Sequence, residues 1–514
     1  MNFTRWLLVL TGVGLLSGCG SNGSSPGLTD PGSPPATASI SGTVTYKGLP
    51  MAGVTVNAWS TNTNVIVQST TTDTNGNYTL KGLGDTADVP QEYQFWVIKA
   101  GYGFYPSVGS GASIVRAGMN GQFAGLNTGN PPIVFAVIDW IPAQGYGGTL
   151  AGANFQAYDG SNPRVNLAAT GQSASYAGGD DGALRKGVAW PGTRFSDNQD
   201  GTVTDHVTGL VWLKNAGCFN ATNWNGAMTD ANTLSNGECG LSDGSTAGQW
   251  RLPNLNELES LIDVSASNPA LTAGNPFTNV STSIYWTSTA IWAGGWYGVT
   301  APVNEAWVIR MTDGSYLDDG VSNLVSTSTN AVWAVKGASG GAAKLQATGF
   351  YVPYESGDDG TLQMGIGLTY PRWLDNANGT ITDTMTGLVW LKQADCIKQP
   401  WGGALAAISQ LASGQCGLTD GSAAGSWRMP NRNEMQSMSD RIQTNQSAYF
   451  NYTILNLNNT VYQPAIFTNF IISQFYWTST TDAASTGGAW TVYSCDYGVY
   501  DQPKANTGYT LAVR

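Results

Sequence analysis

The sequence predicts a multidomain chain: an N-terminal all-β sandwich followed by two duplicated α+β domains. Three observations lead there. With 514 residues the chain exceeds what one hydrophobic core organises. The stretch Thr208-Gly-Leu-Val-Trp-Leu-Lys214 returns unchanged as Thr386-Gly-Leu-Val-Trp-Leu-Lys392. Sixty-six glycines, 22 prolines and 19 tryptophans, with only 11% charged residues, describe short strands, many turns and bulky aromatic packing.

Residues 1–18 read as a secretory leader. Arg5 precedes an apolar run from Trp6 to Leu16, which is shorter than the roughly 18 residues that span a bilayer. Ser17-Gly18 before Cys19 resembles the bacterial lipoprotein signal. The resemblance implies acylation of Cys19, hence a membrane partner through a lipid anchor. Gly20, where an Asp would imply inner-membrane retention, implies the outer membrane or cell surface. Residues 19–38 are Ser, Gly, Pro, Asn and Thr without periodicity, a flexible tether.

Period-two alternation begins at Ser39 and continues through Thr43–Tyr46, Val54–Trp59, Val65–Val67, Tyr78–Leu80 and Tyr93–Val97. Apolar alternation between turn residues predicts strands, and this many of them a sandwich over 39–142. In Asp73-Thr-Asn-Gly76-Asn-Tyr78 the Asn-Gly pair supplies the positive φ of a tight turn. Together with Ile40-Ser-Gly-Thr-Val44 and Gly53-Val-Thr-Val56, this turn resembles the carboxypeptidase regulatory-like, transthyretin-like sandwich, which implies a structural or adhesive module. Residues 143–170 read as a linker able to donate a strand or two. Residues 338–348, with Ala338-Ser-Gly-Gly-Ala-Ala343, read as a flexible hinge between units at 171–337 and 349–514.

The two units align over their length. Gly179-Asp-Asp-Gly182 matches Gly357-Asp-Asp-Gly360, and Arg194 with Asp197-Asn198 matches Arg372 with Asp375-Asn376. Trp250-Arg-Leu-Pro-Asn254 with Glu257 matches Trp427-Arg-Met-Pro-Asn431 with Glu434, and Tyr285-Trp-Thr-Ser-Thr289 matches Tyr476-Trp-Thr-Ser-Thr480. This is domain duplication rather than a short solenoid repeat. Within a unit, Thr202–Asp205, Gly209–Trp212, Tyr285–Thr289, Ala306–Ile309 and Ala331–Ala334 read as strands. Gly226–Leu234, Ala404–Leu411 and Glu257–Val264 have helical spacing. Strands, two helices and a strand-rich end make an α+β domain.

This order of landmarks resembles the Lcl C-terminal domain family, named for the end domain of a collagen-like adhesin. The resemblance implies a C-type-lectin-like fold and a surface binder; the founding adhesin binds sulfated polysaccharides. Acidic residues outnumber basic ones in both units, so neutral glycans or proteins are the expected ligands. A formal charge of −12 without any basic run excludes nucleic acid as a partner.

The candidate residues divide by chemistry. Outside the reducing cytosol, Cys218 with Cys239 and Cys396 with Cys416 read as one disulfide per unit, enclosing the first helix. Cys495 has no counterpart, since Thr312 aligns with it, and reads as a buried thiol or an intermolecular link. It lacks the second cysteine that the copper site of the related formylglycine-generating oxidases would need. His206 is the only histidine and becomes Thr384 in the second unit, so any Ser-His-Asp scheme must pass through a turn residue. Asp180-Asp181 and Asp358-Asp359 are adjacent carboxylates that a glycosidase could use, but flanking glycines favour turn capping. Asp197, Asp200 and Asp205 could offer oxygens to calcium as a cofactor, although the spacing is not an EF-hand's and Asn378 replaces Asp200. Tryptophans kept in both units read as core. Aromatics that do not recur, Trp292, Trp296 and Tyr297 in the first unit and Tyr449, Phe450 and Tyr452 in the second, are the ligand-binding candidates. The expected function is a non-enzymatic surface lipoprotein that binds glycan or protein through two heads. The alternatives are a structural subunit of an outer-membrane or extracellular assembly and a glycan-degrading enzyme.

Overall fold

A computed structural model describes residues 38–60, 65–83, 93–106, 115–117, 134–136, 149–151, 154–161, 164–291, 305–317, 325–350, 353–369, 372–441, 450, 454–455, 461–463, 466–494 and 497–514. Cys19, Trp292, Trp296, Tyr297, Tyr449, Tyr452 and Cys495 lie outside the described residues, as does the leader.

Among the described residues the N-terminal region is all-β. One sheet is built on the long strand Ala38–Tyr46, flanked by Asn77–Leu83, Leu49–Pro50, Thr149–Ala151 and Phe155–Tyr158. The other runs Val65–Thr71, Thr55–Ser60, Tyr93–Ile98, Val134–Ala136 and Val115–Ala117. Ile40, Val44, Val56, Ala58, Leu80 and Phe95 form the core between them. In the predicted turn the Asp73 carboxylate accepts from the Asn75 and Asn77 amides at 2.8 and 2.9 Å, and Gly76 has φ 71°. A Cβ at Gly76 would sit 2.4 Å from the Val44 carbonyl oxygen. The stretch 143–170 contributes two strands, and Phe155 and Ala157 of the second are buried in this core.

Each duplicated unit opens its body with a small antiparallel sheet. In the first unit this is Phe195–Asp197, Thr202–Asp205, Val211–Leu213 and Val335–Lys336. In the second it is Trp373–Asp375, Thr380–Asp383 and Val389–Leu391. The late strand read at Ala331–Ala334 is displaced to Val335–Lys336, with bridges at Asn330 and Ala331. The first helix runs Trp224–Thr233, capped by Asn223, and its counterpart is Trp401–Ser409. The helix read at Glu257–Val264 is shorter, Leu255–Glu259. Its continuation leaves the helical path because the Val264 amide donates to the Thr170 carbonyl at 3.2 Å and Asp263 to Ala270 at 2.9 Å. Trp212, Trp250, Trp286 and Trp307 are buried, as are Trp390, Trp427, Trp477 and Trp490.

The two units are not independent beads. One eight-stranded sheet runs through both, in the order Ile284–Ala290, Ala306–Arg310, Tyr316–Leu317, Val499–Pro503, Gly488–Tyr493, Phe475–Thr481, Thr507–Thr510 and Ile397–Pro400. Its central junction pairs Tyr316 with Val499, equivalent positions of the two copies, so the units are related by an approximate two-fold axis there. One apolar core spans the junction, from Trp212 and Trp333 to Trp490 and Val499. The hinge expected at 338–348 is instead fastened to the first unit. Gly341 N donates to Thr208 O at 2.8 Å and Ala343 N to Val207 O at 3.0 Å, and Ala343 and Thr348 are buried. A Cβ at Gly341 would sit 2.3 Å from the Val207 carbonyl oxygen, so this glycine permits the close approach.

Candidate functional site

The recurring signature residues converge on two equivalent junctions, each made where the opening segment of one unit, with the few residues before it, crosses to the other. We call these segments, residues 164–190 and 342–368, the straps. Each has the same internal geometry. Asp180 accepts from Ala183 N at 2.9 Å and so caps the one-turn helix Asp181–Leu184; Asp358 does the same for Asp359–Leu362. Each helix ends in a left-handed residue, Arg185 or Gln363, both with φ 47°. A Cβ at Gly182 would sit 1.9 Å from the Ala174 carbonyl oxygen, so the turn closes only on glycine.

The next carboxylate reaches across. Asp181 Oδ2 accepts from Thr170 Oγ1 of its own strap at 2.6 Å and from Thr480 Oγ1 of the second unit at 2.7 Å. Asp359 Oδ2 accepts from Thr348 Oγ1 at 2.6 Å and from Thr289 Oγ1 of the first unit at 2.8 Å. The hydroxyls that reach across also accept from the backbone, Thr289 from Leu255 N and Thr480 from Arg432 N, so each both donates and accepts. Burial pushes the Asp181 carboxyl up to about 6 and the Asp359 carboxyl up to about 7, with the threonine hydroxyls pulling the other way.

The Trp-Arg-x-Pro-Asn-x-x-Glu motif completes each socket. Asn254 caps Leu255–Glu259 in a reciprocal capping box with Glu257, as Asn431 does with Glu434. Arg251 holds Glu257 at 2.5 and 2.6 Å, and Arg428 holds Glu434 at 2.6 and 2.6 Å. With its oxygen engaged as cap, Asn254 turns its Nδ2 to the strap and donates to Met364 O at 3.0 Å; Asn431 donates to Lys186 O at 3.2 Å. Asn256 donates to Gln346 O at 2.9 Å, and Asn433 to Ala168 O at 3.0 Å. Each strap also bonds its own unit, through Val264 N to Thr170 O and Arg441 N to Thr348 O, and so bridges the two bodies.

The other sequence candidates are placed as follows. Cys218–Cys239 and Cys396–Cys416 are disulfides, with Cα separations of 5.6 and 5.7 Å. Phe450 is not a surface binder: it is buried against Trp373, Phe467, Phe470 and Tyr497. The calcium set is dispersed. Asp197 pairs with Lys214 at 2.6 Å, which holds its carboxyl below the usual range. Asp200 accepts from Thr202 N and Oγ1, and buried Asp205 takes Arg194, Val207 N and Thr208. Among the described residues no group of three or more His, Cys, Asp or Glu could hold a metal ion. His206 is exposed, with Nε2 2.7 Å from Ser196 Oγ.

The sequence shows the capped turns of the straps but not their crossing to the other unit. Thr289 and Thr480 read as strand residues, and nothing local marks a hydroxyl whose carboxylate partner lies 70 or 299 positions away.

Comparison with curated proteins yields no match. The family model of the Lcl C-terminal domain matches residues 201–336 and again 379–514, which takes in both sockets and leaves both straps outside. With more than half of its length matched, in two copies, the chain belongs to the Lcl C-terminal domain family.

Proposed function

We propose that this chain is a non-enzymatic cell-surface lipoprotein, anchored to the outer membrane through Cys19, that binds neutral glycan or protein through two C-type-lectin-like heads. The N-terminal region acts as a carboxypeptidase regulatory-like spacer that carries the heads away from the lipid. The observation that carries this reading is the engagement of the signature carboxylates. Asp180 and Asp358 cap helices, while Asp181 and Asp359 are buried between two threonine hydroxyls. A glycosidase needs two carboxyls facing a substrate across roughly 5 to 9 Å, and these face the protein's own backbone and hydroxyls. Recognition then falls to the segments that the two copies do not share, among them the one holding Trp292, Trp296 and Tyr297, whose rings offer faces for sugar stacking. Heads joined by one sheet form a single body, so a ligand that engages both gains from effective concentration.

The mature chain is to be tested on a glycan array and in a pull-down from envelope extracts, beside a Trp292→Ala, Trp296→Ala, Tyr297→Ala variant. Binding that falls at least tenfold in the variant, without a change in its melting temperature, is expected. Absence of any ligand for the parent chain, or binding that the variant retains in full, contradicts the proposal.

A further inference from the structure

The two-fold relation between the units breaks down at a buried place where three charges meet at the junction. Glu259 comes from the first unit and Arg432 and Arg441 from the second; both arginines are buried, at 0% and 4% exposure. Arg432 lies 3.8 Å from Glu259, donates to Gly314 O of the first unit, and stacks over Trp490 and Tyr316 at 4.5 and 5.6 Å. Arg441 stacks over Trp307 and Tyr316 of the first unit at 4.6 and 5.6 Å. Aligning Asn254 with Asn431 puts Leu255 opposite Arg432, Gln436 opposite Glu259 and Val264 opposite Arg441. Neither unit carries the other's charges.

Replacing buried ion pairs by well-packed apolar residues is often neutral or stabilising, so such a cluster is better explained by specificity than by strength. We propose that Glu259, Arg432 and Arg441 form a pairing code: the face of each unit fits the other unit of this chain and rejects a second copy of itself. Two first-unit faces together would bury two carboxylates opposite Leu255 and Val264, with no cation between them. Two second-unit faces would bury four guanidiniums opposite neutral Gln436. Only the mixed pair sets carboxylate against guanidinium, and the aromatic rings of Trp307, Tyr316 and Trp490 take up the remaining cationic face. The tandem arrangement is then a requirement of the interface: two unlike faces must be delivered together.

The test is a thermal-unfolding cycle on the full chain. Arg432→Leu with Arg441→Val gives the second unit the residues of the first, and should lower the melting temperature by roughly 5 °C. Glu259→Gln in the parent chain should lower it too. Added to the arginine substitutions, Glu259→Gln should raise it, recovering at least half of the loss. Should the double arginine variant fail to fold, Arg441→Val alone with and without Glu259→Gln reads the same reversal. Losses that simply add, with no change of sign for Glu259→Gln between backgrounds, overturn the code.

Discussion

Asp359 is the residue in which sequence, burial and pH meet. Its folded carboxyl titrates near 7, against an ordinary value of 3.8, because burial opposes its charge more than Thr289 and Thr348 support it. Between those two values the folded chain holds a proton that the unfolded chain has released. Its contribution to stability is therefore fully present below about pH 4 and is lost as pH rises through about 7; Asp181 behaves alike up to about 6. Asp359→Asn should flatten the dependence of unfolding free energy on pH over this window, measured in urea at a series of pH values. A parallel curve displaced by a constant would contradict the assignment. At this scale the sequence was legible where a residue recurred. Trp212 and Trp390 were read as core anchors and are fully buried. Phe450 was misread because it does not recur, yet the space it occupies has a cause. Trp333 of the first unit packs on Tyr285 and Phe277, while Leu511 stands in its place in the second unit, where Phe470, replacing Val280, stacks on Tyr476 at 4.6 Å. Phe450 packs against Phe470 at 4.9 Å in the same refilled core, a compensation of volume that no single position announces.

At the scale of elements, each disulfide closes a loop of 21 or 20 residues around the first helix of its unit. Cross-links of that loop length stabilise by roughly 3 kcal/mol through the unfolded chain. Cys218→Ser with Cys239→Ser should lower the unfolding free energy by about that amount in guanidinium titration, and an unchanged midpoint would contradict it. Some strands bounded by turn residues were legible to the residue, Thr202–Asp205 among them, whereas those read at Gly209–Trp212 and Ala331–Ala334 lie at Val211–Leu213 and Val335–Lys336. Helix ends were less so, because Leu255–Glu259 stops where the following amides bond to Thr170 and Ala270, partners fixed by tertiary structure. In the straps the capping by Asp180 and Asp358 was legible, but the crossing to the other unit was not. Their one-turn helices have no amphipathic period, and glycine-flanked aspartates mark a capped turn without showing which unit it packs against.

For the whole molecule, the duplication and the disulfides were plain in the sequence, whereas the union of the two units was not. Glycine and alanine between repeats read as a hinge, but at Gly341 the small side chain serves the close approach of two backbones. Two straps, one shared sheet and one core make the tandem units a single body. Each strap opens one unit and holds the other. The most direct measurement is native-state amide hydrogen exchange on the full chain carrying Asp181→Ala. Asp181 lies in the strap that opens the first unit, yet its loss should raise exchange in the second unit at Arg432, whose amide donates to Thr480 Oγ1, and at Thr481, whose amide donates to Gln172 Oε1 of the strap, as well as at Ala183 in the strap. The first unit's own socket, around Leu255 and Glu257, should keep its protection. Faster exchange confined to the first unit, with the second unchanged, would contradict the claim.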